Sequence, residues 1–133
     1  MTESRRQLIW RTKHFALETI KLTEALPHCR TADVIGRQLL RSATSVAANY
    51  RSACRAKSSR DFIAKMGTVE EEADESLFWL DLLQESGTSP PPTIQALRRE
   101  ADELIAMTVA SVRTARRNAQ LRTPHSALRT RHE

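Results

Sequence analysis

Apolar residues return every three or four positions along most of the chain, and breaks in that rhythm divide it into four segments. In the first, about residues 5 to 26, Leu8, Thr12, Phe15, Thr19, Leu22 and Leu26 share one stripe, widened by Ile9, Ala16 and Ile20. The i, i+3, i+4 spacing is that of a helix with one face on a core. Pro27 stops it, because proline has no N–H to continue the ladder. The second segment, about 31 to 55, turns Ile35, Leu39, Ala43 (or Ser42), Val46, Tyr50 and Ala53 inward, with Thr31 as the expected N-cap. The third, about 58 to 86, opens on Ser58 and Asp61 at capping-box spacing. It carries Phe62, Met66, Val69, Ala73, Leu77, Leu80 and Leu83, and Gly87 ends it as the residue after the C-cap. The fourth, about 90 to 119, follows Ser89-Pro90-Pro91-Pro92, a serine suited to capping and prolines suited to a first turn. Its stripe is Ile94, Leu97, Ala101, Leu104, Thr108 and Val112, flanked by Ile105 and Met107.

Four helices of roughly 20–30 residues joined by short connections predict an all-α fold, an up-down-up-down antiparallel four-helix bundle over residues 1–120. Residues 121–133 carry no apolar period and read as a basic, disordered tail. The sequence has no internal repeat.

Composition adds limits more than detail. A chain of 133 residues with 40% apolar content has room for one domain and enough apolar surface for one core. Only three glycines (Gly36, Gly67 and Gly87) and abundant Ala, Leu, Glu and Arg favour helices. No apolar run approaches the roughly 20 residues needed to cross a bilayer, and the polar N-terminus is unlike a secretory signal, so no membrane association is expected. Cys29 and Cys54 make neither a metal spacing nor a disulfide framework, which points to a reduced, cytoplasmic setting.

Charge is informative through its blocks. From Arg37 to Arg60 there are six basic residues and no acidic one; from Asp61 to Glu85 there are eight acidic residues and one lysine. Six arginines against Glu133 follow from Ser111 onward, within a net charge of +5. Arg37, Arg41, Thr44, Ala48, Arg51 and Arg55 form one helical ridge that continues into Lys57 and Arg60. It is a stripe about 27 Å long at roughly 1.5 Å per residue. Its sign and length suit a nucleic-acid backbone, with Arg113, Arg116 and Arg117 of the fourth helix joining it. The same stripe serves equally as a solvated face, or as a face paired with the acidic third helix of a neighbouring subunit. Apart from Tyr50 it lacks the interleaved aromatics that stack bases, so sequence-specific reading is not expected.

A bundle core can also hold chemistry. Di-iron bundles need Glu-x-x-His motifs, and no histidine follows Glu70, Glu71, Glu72, Asp74 or Glu75 by three. His14, His28, His125 and His132 are scattered, and no metal or cofactor is expected. Cys54 beside Arg55 has no histidine nearby to act as a base, and phosphate-cradling glycine loops are absent, so no enzyme is expected. Within the second helix, Arg41, Ser45 and Asn49 form a polar ridge. With the second and third helices antiparallel about residues 56–57, Arg41 is expected to meet Glu72, with Glu75 one turn away near Gln38. That makes Arg41, Ser45, Asn49, Glu72 and Glu75 a structural polar network, of more worth to orientation than to stability. Trp10 and Leu17 lie off the main stripe of the first helix, and Phe78, Trp79 and Leu82 crowd the third beyond one face. Helices apolar on more than one side point to self-association or to a wider core.

Three stretches resemble one known family: the run from Gln38 to Arg51, with Arg41-Ser42 before Ser45-Val46 and Asn49; the run Asp61-Phe62-Ile63-Ala64-Lys65; and the run from Glu71 to Leu83. Together they resemble the four-helix-bundle proteins of the 23S rRNA intervening-sequence family, over about residues 8–118. Many members carry a glutamate and a glycine shortly after the asparagine, where this chain has Ser52 and Ala53, so it is similar instead to the branch with Asn-Tyr-Arg. The resemblance implies a ring-like homopentamer without known catalytic activity. Some members are encoded within inserts in 23S rRNA genes. Others resemble the accessory protein of diversity-generating retroelements, a basic pentamer that binds nucleic acid and a reverse transcriptase. The expected function is therefore a non-catalytic, homo-oligomeric, nucleic-acid-binding accessory protein, and the competing one is a protein–protein scaffold.

Overall fold

A computed structural model describes residues 1–132, with side chains as far as Leu121. The chain forms four helices, α1 (Glu3–Glu24), α2 (Arg30–Cys54), α3 (Ser59–Glu85) and α4 (Ile94–His132), and no strand among the described residues. Where a disordered tail is expected at 121–133, α4 continues as helical backbone as far as His132; Glu133 lies outside the described residues.

The ends of these helices follow from local chemistry, in places differently from expectation. The Thr2 hydroxyl accepts the Arg5 amide at 3.2 Å, so α1 starts at Glu3, two residues before the expected start at about residue 5. Glu3 in the first turn suits the positive end of the helix dipole. Thr31 is not the cap of α2. Cys29, in extended conformation, takes that position without a side-chain bond, and the backbone alone closes the turn through Asp33 N–H to Cys29 O. Ser58 caps α3 by accepting the Asp61 amide at 3.1 Å. The Ser86 and Thr88 hydroxyls both donate to the Leu83 carbonyl, at 3.0 and 2.9 Å, and Gly87 takes the left-handed φ of +76° that closes the helix. Ser89 is not a cap either: its φ is +52°, and α4 begins only at Ile94. The three prolines form the connection instead of the first turn, and the Pro91 and Pro92 carbonyls receive the Ile94 and Gln95 amides.

One core joins the four helices. Leu8, Phe15, Leu22, Leu39, Val46, Tyr50, Met66, Val69, Leu80, Leu83, Ile94, Leu97 and Leu104 are buried in it. Three threonines sit within this apolar stripe, and each resolves its hydroxyl locally. Thr12, Thr19 and Thr108 donate to the carbonyls of Leu8, Phe15 and Leu104 at 2.7–2.8 Å, so none of these three hydroxyls is left without an acceptor. Each helix packs on its neighbours in the chain, and α1 also meets α4 along the sparsest of the four seams. That seam is reinforced by Arg11, whose guanidinium spans Glu100 with two hydrogen bonds and lies 3.8 Å from Glu103. On the α3–α4 seam Arg98 donates to Asp81 at 2.7 Å.

Among the described side chains Thr108 is the last fully buried residue of α4; Val112 and Ala115 are only part-covered. By that level α4 has reached the end of the molecule where α2 turns into α3. Two open spaces lie there.

Candidate nucleic-acid interface

The polar ridge of α2 is narrower than its spacing implies, and it takes a different register. Arg41 pairs through Nη2 with Glu75, receives support from Gln38 at 3.4 Å, and holds Nη1 3.7 Å from Glu72 Oε2. Glu75 is thus the main partner and Glu72 the secondary one. The register is taken where two small hydroxyls meet: Ser76 lies 2.9 Å from Ser42, both fully buried. Ser42 also donates to the Leu39 carbonyl and Ser76 contacts the Glu72 carbonyl. Ser45 and Asn49 are half-buried and make no side-chain bond to this group. Each four-residue step along a helix rotates by about 40°, which carries them away from Arg41.

Glu72 is the uncomfortable member. Its Oε2 is buried without a hydrogen-bond donor, since 3.7 Å is beyond hydrogen-bond reach. Burial pushes its carboxyl above the usual range, Glu75 adds to the rise, Arg41 opposes it, and Glu71 adds a little more.

The nine expected nucleic-acid contacts do not form one stripe. Arg41 is occupied by carboxylates and leaves the set. The other eight (Arg37, Arg51, Arg55, Lys57, Arg60, Arg113, Arg116 and Arg117) are all exposed, and none is paired with a carboxylate of a described residue. Arg37, Arg51 and Arg55 stay on α2, with Lys57 and Arg60 at the α2–α3 turn. Arg113, Arg116 and Arg117 instead flank a groove between α3 and α4, because α2 and α4 lie across the bundle from each other with no close backbone approach. Except for Arg37, the set gathers around one end of the molecule, on different faces of it. The half-buried cations elsewhere among the described side chains, Arg11, Lys65 and Arg98, are ion-paired.

The two open spaces lie at this basic end. One, of about 660 Å³, is lined among others by Arg5, Tyr50, Lys57, Phe62, Met107 and Thr114. The Arg5 guanidinium stands 5.0 Å from the centre of the Phe62 ring, a cation–π contact that the sequence did not signal. Burial holds the Tyr50 hydroxyl above its usual pKa, with Cys54 beside it reinforcing the shift, so Tyr50 stays neutral. The other space, about 480 Å³, is the α3–α4 groove. Among the described residues no group of His, Cys, Asp or Glu is placed to hold a metal ion. Nor is any helix long and apolar enough to cross a membrane.

The family model for 23S rRNA-intervening sequence proteins matches residues 6–110. The chain belongs to that family. A solved structure similar to this chain is that of a protein of unknown function from the S23 ribosomal protein family of Bacteroides thetaiotaomicron. It is 26% identical, with a TM-score of 0.76, over 83% of this chain and 98% of the other. No curated protein matches the sequence. The structural likeness supports the helical fold, and neither description names a catalytic activity.

Proposed function

We propose that this member of the 23S rRNA-intervening sequence family is a non-catalytic accessory protein that binds the backbone of RNA or DNA through its basic end. In this reading the up-down-up-down antiparallel bundle assembles as a homopentamer in the cytoplasm. A protein partner, with a reverse transcriptase as the candidate, joins it. The observation that carries the reading is where the unpaired cations gather: seven of the exposed ones without a described carboxylate (Arg51, Arg55, Lys57, Arg60, Arg113, Arg116 and Arg117) surround one end of the molecule, while Arg11, Arg41 and Arg98 within the seams are neutralised. Unpaired surface cations are what a polyphosphate needs, because each phosphate they neutralise releases counterions.

Fluorescence anisotropy with labelled RNA and DNA tests it. Affinity falls steeply with salt, with a log–log slope of about 0.9 per duplex phosphate contacted. Changing Arg37, Arg51 and Arg55 together to Glu abolishes retention while native mass spectrometry still finds the wild-type assembly. A second reading, a protein–protein scaffold, is favoured by the exposed Trp10, Leu17 and Phe78, which are 64%, 49% and 52% accessible. If the triple variant falls apart into monomers and the wild type retains no nucleic acid, the scaffold reading replaces the first.

A further inference from the structure

The α3–α4 groove carries more than positive charge. Its floor is apolar, made by Ile63, Val109 and Val112 with Gly67 between them. Arg113, Arg116 and Arg117 occupy one flank within little more than a turn of α4. On the opposite, α3 side stands Glu70, which makes no ion pair with any described residue although three arginines line the same groove.

Gly67 is the telling position. It lies well inside a helix of 27 residues, where glycine is the poorest former after proline. Its φ is not positive, and a Cβ built on it would meet nothing within 4 Å. Neither turn geometry nor close packing therefore requires glycine there. What its missing side chain does is keep the groove floor open.

A track for phosphates alone has no use for an apolar floor, and a carboxylate within it repels phosphate. A ligand that combines an anion, a flat apolar body and N–H donors satisfies all three parts at once. We infer that the groove takes a nucleotide of a single strand. Its phosphates lie on Arg113, Arg116 and Arg117, its base lies on the Ile63–Gly67–Val112 floor, and Glu70 accepts from an exocyclic amino group. Glutamate accepts from the cytosine N4 amine in this way. In a duplex the base is held within the stack and cannot enter; a single strand turns it out freely. The inference rests on the nucleic-acid reading above and narrows it to single strands carrying amino-bearing bases.

The test uses the full-length protein with labelled oligo-dC, oligo-dT (each about 12 nucleotides) and a duplex of the same length. Gly67→Leu fills the floor without touching a charge, and its melting curve shows that the fold is kept. The expected result is a loss of about tenfold or more for oligo-dC with duplex binding unchanged. Glu70→Gln is expected to erase the preference of oligo-dC over oligo-dT. Oligo-dC binding that ignores Gly67→Leu, or an equal loss for single strand and duplex, overturns the base slot and leaves the nucleic-acid reading standing. If the wild type binds none of the three probes, that broader reading fails instead. If it then binds an oligo-glutamate peptide in a Gly67-sensitive manner, the occupant is an acidic protein segment and the inference is overturned.

Discussion

Replacing glycine by alanine at two mid-helix positions sets propensity against space. In a helix interior alanine is favoured over glycine by about 0.8–1 kcal/mol, partly through the unfolded chain's lost freedom. At Gly67 a Cβ has nothing within 4 Å, so Gly67→Ala realises the full gain. For a chain of 133 residues, an unfolding entropy of about 2.1 cal/mol/K per residue converts 1 kcal/mol into a Tm rise of about 3–4 °C. At Gly36 the same Cβ comes within 3.1 Å of Leu26 Cδ1, and Leu26 is 8% exposed where α1 ends against α2. The leucine must give by a few tenths of an ångström in a packed setting, which costs about 1 kcal/mol or more. Gly36→Ala is therefore expected to melt at or below wild type. Calorimetry at one fixed protein concentration measures both, since oligomerisation makes Tm depend on concentration. Equal Tm values for the two variants, or a lower one for Gly67→Ala, would refute the reasoning.

Other consequences are as specific. Ser42→Ala and Ser76→Ala are each expected to cost about 1 kcal/mol, and the double variant less than their sum. The hydroxyls are each other's partner, so a double-mutant cycle by urea denaturation reads their coupling, and strict additivity would contradict the contact. Glu72 has its carboxyl raised in the fold, so it favours the native state only while protonated and loses that support as pH climbs from its unfolded value through its folded one. Glu72→Gln should thus be more stable than wild type at pH 7 and level with it below about pH 4, checked by urea titrations at both. Arg11→Met removes the bidentate link to Glu100 and strands a part-buried carboxylate, at a cost of about 1–2 kcal/mol. Amide exchange in this variant should quicken first in α1, and exchange that quickens uniformly would place the link elsewhere.

How far the sequence reached depended on whether a property is local. The core residues Leu8, Phe15, Leu22, Leu39, Val46, Tyr50, Met66, Leu80 and Leu104 were legible from periodicity, because the helix fixes which side chains share a face. Pro27 and Gly87 marked ends for equally local reasons. Other caps were less legible: Cys29 ends an extended stretch with no capping side chain, and the proline run resisted any single-residue rule. The exposed Trp10, Leu17 and Phe78 were visible as surplus beyond one apolar face.

What the tertiary structure decided is how the helices stand against one another. That placement is set by side-chain volumes across each seam, which spacing along one helix does not contain. Ser42 against Ser76 set the α2–α3 register, and with it gave Arg41 to Glu75, withdrew Arg41 from the basic set and left Ser45 and Asn49 outside the network. The diagonal placement of α2 and α4 divided one expected stripe between α2 and the α3–α4 groove. Gly67 and Glu70 acquired a meaning only there, because a gap between two helices belongs to neither sequence alone.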